Sequence, residues 1–169
     1  MRASGRPSGV TVASVMAFAQ LGEVERAWEL FSLLNPIRHA ANSAGVNLYK
    51  VEPYVVAADI YAVAPHTGRG GWTWYTGSAG WMYRLIVETL LGLQLEVDTL
   101  RLNPRLPRAW ESFKIHYRHR DTFYHITVKR ADGETTPPIG VFVDGQEQPD
   151  ATVHLVDDRH EHTVEIKIH

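Results

Sequence analysis

Residues 65–81 combine side chains that can bind a polar, oxygen-rich ligand. The stretch reads Pro-His-Thr-Gly-Arg-Gly-Gly-Trp-Thr-Trp-Tyr-Thr-Gly-Ser-Ala-Gly-Trp, with five glycines and three tryptophans. Glycine allows a backbone to approach a ligand closely, and the rings of Trp72 and Trp74 offer flat apolar faces, each with one N–H donor, to a sugar. His66 and Arg69 add groups that can hold an anion. The residue types therefore predict a ligand site.

The end of this stretch predicts the start of a helix. Thr76, Gly77 and Ser78 run into apolar residues at helical spacing, so Thr76 and Ser78 occupy positions typical of an N-cap. The first turn of a helix favours phosphate or sulfate, because it presents N–H groups and the positive end of the helix dipole. The segment is neither a Gly-Lys-Ser/Thr phosphate loop nor a Gly-x-Gly-x-x-Gly motif. A tight, packed connection between helices is an equally good interpretation.

The composition limits the class of protein. The chain has 169 residues, of which 44% are hydrophobic and 21% charged, as in a globular domain. A net charge of −2 without a basic block argues against nucleic acid as the main partner. The chain has no cysteine, which excludes disulfides and cysteine-based zinc sites and fits a reducing, cytoplasmic location.

Signals for membranes, secretion and metals are not found in the sequence. No apolar run reaches the roughly 18–20 residues of a membrane span, and the first nine residues lack the apolar core of a signal peptide. Residues 1–10 are predicted to form a flexible leader. The nine histidines show no His-x-x-x-His spacing, so no metal site is predicted.

The first half of the chain shows helical periodicity. Apolar residues at three- and four-residue spacing predict helices over residues 11–21 and 23–34, with Gly22 as the stop between them. Residues 37–49 resemble a loop. A buried helix is predicted from Tyr54 to Val63, with Pro53 in its first turn, and a fourth helix from Ala79 to Leu91. Residues 11–95 form the predicted helical part.

The second half shows the alternation of strands. From residue 96 onward, about six short alternating segments predict a small antiparallel β-sandwich over residues 96–169. Asp144-Gly145 is a strong signal for a hairpin turn. The fold class predicted from the sequence is therefore α+β, helices first and sandwich second.

Several motifs resemble glycoside hydrolase family 94, the inverting β-glucoside phosphorylases. They are Ala-Trp-Glu-Leu (27–30), Leu-Leu-Asn-Pro-Ile (33–37), Tyr-Lys-Val-Glu-Pro-Tyr-Val-Val-Ala-Ala-Asp (49–59), Gly-Arg-Gly-Gly-Trp-Thr-Trp-Tyr-Thr-Gly-Ser-Ala-Gly-Trp-Met-Tyr-Arg (68–84) and Leu-Arg-Leu-Asn-Pro-Arg-Leu-Pro-Arg-Ala-Trp (100–110). Within the family the likeness is greatest to the C-terminal region of cyclic β-1,2-glucan synthases. The resemblance covers residues ~13 to ~120, and more loosely the tail.

The resemblance implies a fold and a reaction. The fold is an (α/α)6 barrel followed by a C-terminal β-sandwich, of which this chain would hold the last barrel helices. The reaction is phosphorolysis, in which phosphate attacks the anomeric carbon while an aspartic acid protonates the leaving sugar oxygen. Inorganic phosphate is then a co-substrate, and no cofactor is expected. The family's pattern carries phosphate binding onto Thr76, Gly77 and Ser78, and contact with the acceptor sugar onto Glu52 and Tyr54.

The chain departs from the family pattern because the family's catalytic aspartate lies upstream of the matched motifs. We therefore expect a fragment that lacks the general acid and is inactive alone. No residue here is assigned as catalytic, and whether the chain is itself an enzyme of the hexosyltransferase type stays open. For Asp59, a structural carboxylate is favoured over a catalytic one.

The remaining candidates have two interpretations each. Trp72 and Trp74 either stack on sugar or pack the core, and His66 and Arg69 either bind ligand or brace the loop. The predicted partners are a β-glucan oligosaccharide and phosphate, with a second copy of the chain or the remainder of a parent protein completing the bundle. The alternatives to a phosphorylase fragment are a non-catalytic carbohydrate-binding or interaction module, and a truncated product without a function of its own.

Overall fold

The computed structural model describes residues 8–131 and 139–168. The chain divides into two compact units, Met1–Ile86 and Val87–His169. Most of the predicted leader, residues 1–7, lies outside the described residues, and the first helix begins at Ser8. In the part of the chain that the structure describes, every helix is too short or too polar to cross a membrane.

Five α-helices occur among the described residues, all in the first unit. They are α1 (Ser8–Gln20), α2 (Val24–Leu34), α3 (Pro36–His39), α4 (Ser43–Tyr49) and α5 (Thr76–Arg84). A π-helical segment, Leu85–Leu90, continues α5. The predicted fourth helix therefore exists but begins at Thr76 instead of Ala79.

The turn between α1 and α2 confirms the predicted stop at Gly22. Its φ of +83° is left-handed, which glycine adopts without a Cβ clash. The amides of Gly22 and Glu23 donate to the carbonyl oxygens of Ala19 and Phe18, at 3.2 and 3.0 Å. These are the two hydrogen bonds of a Schellman cap, so local chemistry alone ends α1.

The predicted loop over residues 37–49 is wrong, because two short helices occupy most of it. The side chain of Asn35 caps α3 by accepting from the Ile37 amide at 3.1 Å. The side chain of Asn42 caps α4 by accepting from the Gly45 amide at 2.9 Å. Asparagine is a strong N-cap residue, so these two asparagines mark the starts of the two helices.

The predicted helix from Tyr54 to Val63 is also wrong. Residues 50–75 contain no helix in the structure. Within this stretch, the backbone of residues 58–61 pairs with that of residues 69–72, including an antiparallel bridge between Ile60 and Gly70. Burial is correspondingly mixed, since Val55 is 6% exposed whereas Tyr54 is 72% exposed. An apolar run can satisfy its backbone groups by either kind of pairing.

The second unit is built from eight described strands in two sheets. The strands are β1 (Leu93–Glu96), β2 (Thr99–Leu102), β3 (Ser112–His119), β4 (Thr122–Arg130), β5 (Ile139–Val143), β6 (Gln146–Gln148), β7 (Thr152–His154) and β8 (Glu161–Ile168). The described strands follow the order β1-β2-β7 in one sheet and β3-β4-β8-β5-β6 in the other. The α+β class is therefore confirmed, although β1 was not predicted.

The predicted all-antiparallel arrangement is wrong at one pair of strands. β4 and β8 run parallel, with Phe123 opposite Glu161 and Arg130 opposite Ile168. All other pairings between the described strands are antiparallel. The hairpin turn at Asp144-Gly145 is confirmed, because both residues have left-handed φ values of 49° and 81°, as a type I′ turn requires.

The two sheets share one hydrophobic core. Leu100, Leu102 and Val153 come from the smaller sheet, and strands β4, β5 and β8 contribute from the larger one. The pattern along β4 alternates between buried and more exposed positions, so this strand buries one face. This shared core makes the unit a small β-sandwich.

Candidate functional site

The glycine/tryptophan stretch folds back onto residues 57–61. Three backbone hydrogen bonds of 2.8–2.9 Å join the segments, from the amides of Ala58, Gly71 and Tyr61 to the carbonyl oxygens of Trp72, Asp59 and Arg69. The chain between them turns at residues 62–67, where the amide of His66 donates to the carbonyl of Val63 at 3.0 Å. A paired backbone therefore holds the site residues.

Two glycines allow this close approach. A Cβ atom on Gly70 would collide with the side chain of Val51, and one on Gly71 would collide with the carboxylate of Asp59. With any larger residue, either these side chains must move or the backbone must shift. The side chain of Asp59 thus packs against the backbone of the site, which fits the structural role expected for it.

Tyr49 is buried next to this pairing. Its ring is 2% exposed and stacks on the ring of His39 at 4.7 Å between centroids. Its carbonyl oxygen accepts from the Gly70 amide at 2.9 Å. Burial raises the pKa of the Tyr49 hydroxyl, and its hydrogen bond to the backbone of Ala57 opposes that shift. The end of α4 is thereby fixed to the glycine segment.

A polar pocket of about 420 Å³ opens beside the pairing. Its charged and aromatic lining is Lys50, Glu52, Tyr61, Arg69 and Trp72, completed by Val51, Gly70, Gly71 and Thr73. The Trp72 side chain is 76% exposed, so its ring does not pack a core. Two cations, one carboxylate and two exposed rings suit a polar ligand with hydroxyl or anionic groups.

An apolar pocket of about 170 Å³ lies among residues that precede the first paired segment and follow the second. It is lined by Tyr54, Val55, Val56, Trp74, Tyr75, Thr76 and Ala79. The rings of Tyr54 and Trp74 meet edge to face, with centroids 6.2 Å apart. This edge-to-face packing holds both rings in position.

A hydrogen bond between side chains connects a residue of the polar pocket with one of the apolar pocket. The Trp74 indole Nε1 donates to Oε1 of Glu52 at 3.4 Å. Glu52 lines the polar pocket and Trp74 lines the apolar one. Trp74 also has a left-handed φ of 60°, which a bulky residue seldom adopts. This hydrogen-bonded pair therefore links the linings of the two pockets.

The start of α5 differs from the sequence prediction. Thr76 and Ser78 were expected as N-caps, but Tyr75 holds that position and makes no side-chain cap hydrogen bond. Thr76 is the first helical residue, and the first backbone hydrogen bond of the helix runs from the Ala79 amide to the Tyr75 carbonyl at 3.2 Å. Both hydroxyls therefore lie within the first turn, where Thr76 is exposed and Ser78 is 4% exposed.

The structure brings together most of the predicted site residues. Glu52, Arg69 and Trp72 share the polar pocket. Tyr54, Trp74 and Thr76 share the apolar pocket.

Three predicted residues lie outside the pocket linings. Gly77 and Ser78 follow Thr76 in α5 but line neither pocket, and His66 sits in the turn with its ring 6.0 Å from the ring of Tyr61. Lys50 and Tyr61 were not predicted. The available signal for Lys50 was its place just before the Glu-Pro-Tyr motif.

The two parts of the chain match two family models. Residues 10–92 match the model described as "Glycosyl hydrolase 94 superfamily, catalytic domain". Residues 93–149 match "Glycosyl hydrolase family 65, C-terminal domain". All the site residues described above lie within the first match.

Curated relatives point in the same direction. The chain is similar to the cyclic beta-(1,2)-glucan synthase NdvB of Rhizobium meliloti (strain 1021), with 46% identity over 127 residues, which are 75% of this chain and 4% of that protein. It is 30% identical over 132 residues to the N,N'-diacetylchitobiose phosphorylase of Vibrio furnissii, covering 78% of this chain and 16% of the relative. The solabiose phosphorylase of Paenibacillus borealis is 28% identical over 153 residues, covering 90% and 20%. The chain thus spans a small part of each relative's length.

Proposed function

Since residues 10–92 belong to the glycosyl hydrolase 94 superfamily, we propose that the helical unit binds a β-linked glucoside together with inorganic phosphate. It does so as part of an inverting phosphorylase-type domain, and its helices belong to an (α/α)6 barrel. The relatives' names support the substrate class, because they include a β-1,2-glucan synthase and phosphorylases of β-linked oligosaccharides such as 1,2-β-oligoglucan.

The observation that carries the proposal is where α5 begins. Its first residue, Thr76, lines the same pocket as Trp74 and Tyr54. A phosphate at the first turn, near the amides of Thr76, Gly77 and Ser78, benefits from the helix dipole and from N–H groups that precede the in-helix hydrogen bonds. The phosphate would thus lie beside the aromatic rings.

The sugar is assigned to the aromatic and charged residues of the two pockets. Trp72 and Trp74 present ring faces or edges, while Glu52, Tyr54 and Arg69 supply hydrogen-bonding groups to hydroxyls. His66 is assigned to the periphery of the sugar site, since it lines neither pocket. This division places the acceptor sugar over residues 52–54 and 69–74.

The proposed reaction transfers a glucosyl group to phosphate. A phosphate oxygen forms a bond to the anomeric carbon as the glycosidic C–O bond breaks. The departing sugar oxygen takes a proton from a general acid, and the product is α-glucose 1-phosphate. We assign that acid to an aspartate in a part of the domain outside this chain, so the chain alone is inactive. A cytoplasmic parent protein or a second copy of the chain would complete the barrel.

Two measurements on the purified chain test this. Backbone amide NMR with inorganic phosphate should shift Thr76, Gly77 and Ser78, and β-1,2-glucooligosaccharide should shift the indole N–H signals of Trp72 and Trp74. Release of glucose 1-phosphate should be undetectable. Amides of α5 that ignore phosphate would contradict the phosphate assignment. Turnover would mean that a carboxylate of this chain is the acid.

The second candidate function is a non-catalytic carbohydrate-binding module. The 76% exposure of Trp72 favours it, because exposed rings are a common binding surface for sugars. In that case Trp72→Ala should abolish glucan binding and phosphate should not alter the affinity. Trp81→Ala is the matched control, because Trp81 lies on α5 and lines neither pocket.

A further inference from the structure

We propose that His116 and His125 form a binding site for a divalent transition-metal ion, of the kind that prefers imidazole in square geometry, such as Cu²⁺ or Ni²⁺. The two residues are directly opposite each other on β3 and β4. Their Nδ1 atoms are 2.8 Å apart. The site is independent of the proposed glucoside and phosphate site.

A carboxylate selects the tautomer of His125. Its Nε2 lies 3.1 Å from Oε2 of Glu161 on β8. A carboxylate accepts hydrogen bonds, so Nε2 carries the hydrogen and the neutral ring keeps a lone pair on Nδ1. This lone pair points at Nδ1 of His116, and the short contact between them is a hydrogen bond that holds one proton.

A metal ion can replace that proton. The proton on Nδ1 of His116 goes to water and another from water is taken up at its Nε2, so the ring stays neutral. With a turn of both rings, the two Nδ1 lone pairs then meet at one ion, and imidazole is a preferred ligand of copper, nickel and zinc. Glu161 then acts as the outer carboxylate that orients a metal-bound histidine and strengthens it as a donor. Its negative charge also offsets part of the charge of the ion.

The nitrogen separation lies close to that of one coordination geometry. With metal–nitrogen bonds of about 2.0–2.1 Å, two ligands at a right angle lie about 2.9 Å apart, and two at the tetrahedral angle about 3.3 Å apart. The observed 2.8 Å matches the right angle of square-planar or tetragonal Cu²⁺ and Ni²⁺. Tetrahedral Zn²⁺ would require the two rings to move apart.

The surroundings leave room for further ligands. The His125 side chain is 38% exposed, so water can reach the ion and complete its coordination. Among the described residues, no group of three or more His, Cys, Asp or Glu side chains is arranged to hold a metal, so the protein supplies two ligands here. Strand pairing already fixes both backbones, which lowers the entropy cost of binding.

No metal site was predicted from the sequence, because the histidines lack the His-x-x-x-His and other spacings typical of metal ligands. Residues 116 and 125 are nine positions apart, a separation that has no meaning until the hairpin register is known. The register of β3 and β4, with Ile115 opposite Ile126, brings the two rings to the same face. The proximity of the two histidines therefore becomes visible only when the pairing of the strands is known.

Titration of the intact chain with Cu²⁺ tests the proposal, followed by calorimetry and by electron paramagnetic resonance. We expect one saturable ion with coupling to two nitrogens, and weaker binding of Zn²⁺. His116→Ala, His116→Gln and His125→Ala should each remove this site. Glu161→Gln should weaken it roughly 10- to 100-fold, while His154→Ala on β7 should leave it unchanged.

Three results would overturn the proposal. They are the absence of any saturable Cu²⁺ binding, a bound ion that persists in both alanine variants, and Zn²⁺ binding that is tighter than Cu²⁺ binding. Circular dichroism of each variant confirms that the sheet is intact. Because the readout is metal binding, the result does not depend on glucan or phosphate binding.

Discussion

The amide of Gly71 donates to the carbonyl oxygen of Asp59 at 2.9 Å, and the Asp59 carboxylate occupies the space beside the Gly71 Cα. A Cβ on residue 71 would overlap Oδ1 of Asp59. The pairing that shapes both pockets thus depends on a missing side chain as well as on hydrogen bonds.

We predict that Gly71→Ala destabilises the protein by about 1–3 kcal/mol, the usual range for overpacking. The Asp59 side chain must move, or the two segments must separate. Urea unfolding followed by tryptophan fluorescence measures this. Gly80→Ala is the control, because nothing lies within 4 Å of its Cβ position and alanine favours a helix by about 0.5–1 kcal/mol. Equal midpoints for the two variants would contradict the prediction.

The local features of the fold were predictable from sequence. Gly22 ends α1 with the expected left-handed φ, and Asp144-Gly145 forms the expected hairpin turn. Each depends on residues that are adjacent in the chain. The asparagine caps at 35 and 42 are equally local, so the two short helices they start were also predictable from the sequence.

The non-local features were not predictable. The run 54–63 was interpreted as a buried helix because nearly all of its residues are apolar. Its partner in the structure, residues 68–72, pairs through backbone groups, and such pairing leaves no periodic pattern in the sequence. The parallel pairing of β4 with β8 likewise depends on a topology that one sequence does not specify. For the site, residue types identified Trp72 and Arg69, and the family resemblance identified Glu52. Lys50 was not predicted, because the fold-back of the chain that forms the pocket is not specified by the sequence.

We predict that Thr76→Pro weakens phosphate binding while preserving the helix. Proline is tolerated at the first helical position because that N–H has no acceptor within the helix. The preceding residue, Tyr75, already has an extended conformation with φ −84° and ψ 106°, as a residue before proline requires. The substitution therefore deletes one amide donor and one hydroxyl with little strain.

Thr76→Val separates the two contributions, since it deletes the hydroxyl and keeps the amide. We expect Thr76→Pro to weaken phosphate binding about 10-fold or more and Thr76→Val to weaken it less, because a hydrogen bond to a charged group contributes about 1.5–3 kcal/mol. Calorimetry with inorganic phosphate compares them. If Thr76→Pro binds phosphate as tightly as the parent chain, the helix start is not the phosphate site.

We predict that Tyr124→Phe destabilises the β-sandwich by about 1–3 kcal/mol. The Tyr124 hydroxyl, on a side chain 1% exposed, accepts from the Val156 amide at 2.7 Å and donates to its carbonyl oxygen at 3.2 Å. Its removal leaves the N–H and C=O groups of Val156 without that partner in a part-buried site, which costs free energy. Chemical unfolding measured by circular dichroism gives the change.

The matched control is Tyr117→Phe. Tyr117 lies opposite Tyr124 on β3 and is half-buried. It should change the free energy of unfolding by less than about 0.5 kcal/mol, as substitutions away from buried networks do. A Tyr124→Phe protein as stable as this control would show that the loop around Val156 does not need the hydroxyl.

The last prediction concerns His162, which connects two loops of the sandwich through both ring nitrogens. Nδ1 lies 2.7 Å from Oδ2 of Asp144, and Nε2 lies 3.2 Å from Oδ2 of Asp158. Both nitrogens donate only when the ring is protonated. The hydrogen bond with Asp144 is the main cause that raises the pKa of His162, and the same hydrogen bond lowers the pKa of Asp144.

These directions define a pH window for stability. A raised folded-state pKa means that the stabilisation from His162 is complete below its ordinary value of about 6.5 and is lost as pH rises through the raised value. The lowered pKa of Asp144 means that its contribution is complete above about pH 4 and is lost as pH falls through the lowered value. The network is therefore strongest between about pH 4 and 6.5.

We expect His162→Gln to lower the urea midpoint most at about pH 5–6, with a difference that shrinks toward pH 9 as the parent loses the extra proton. Urea unfolding of both proteins at several pH values measures that difference. His154→Gln is the control, since it replaces a strand histidine whose ring contacts the hydroxyl of Thr99, and it should not reproduce the loss of midpoint that His162→Gln shows at pH 5–6. A His162→Gln effect that grows from pH 6 to pH 9 would mean that the neutral ring, and not the imidazolium, holds the two loops together.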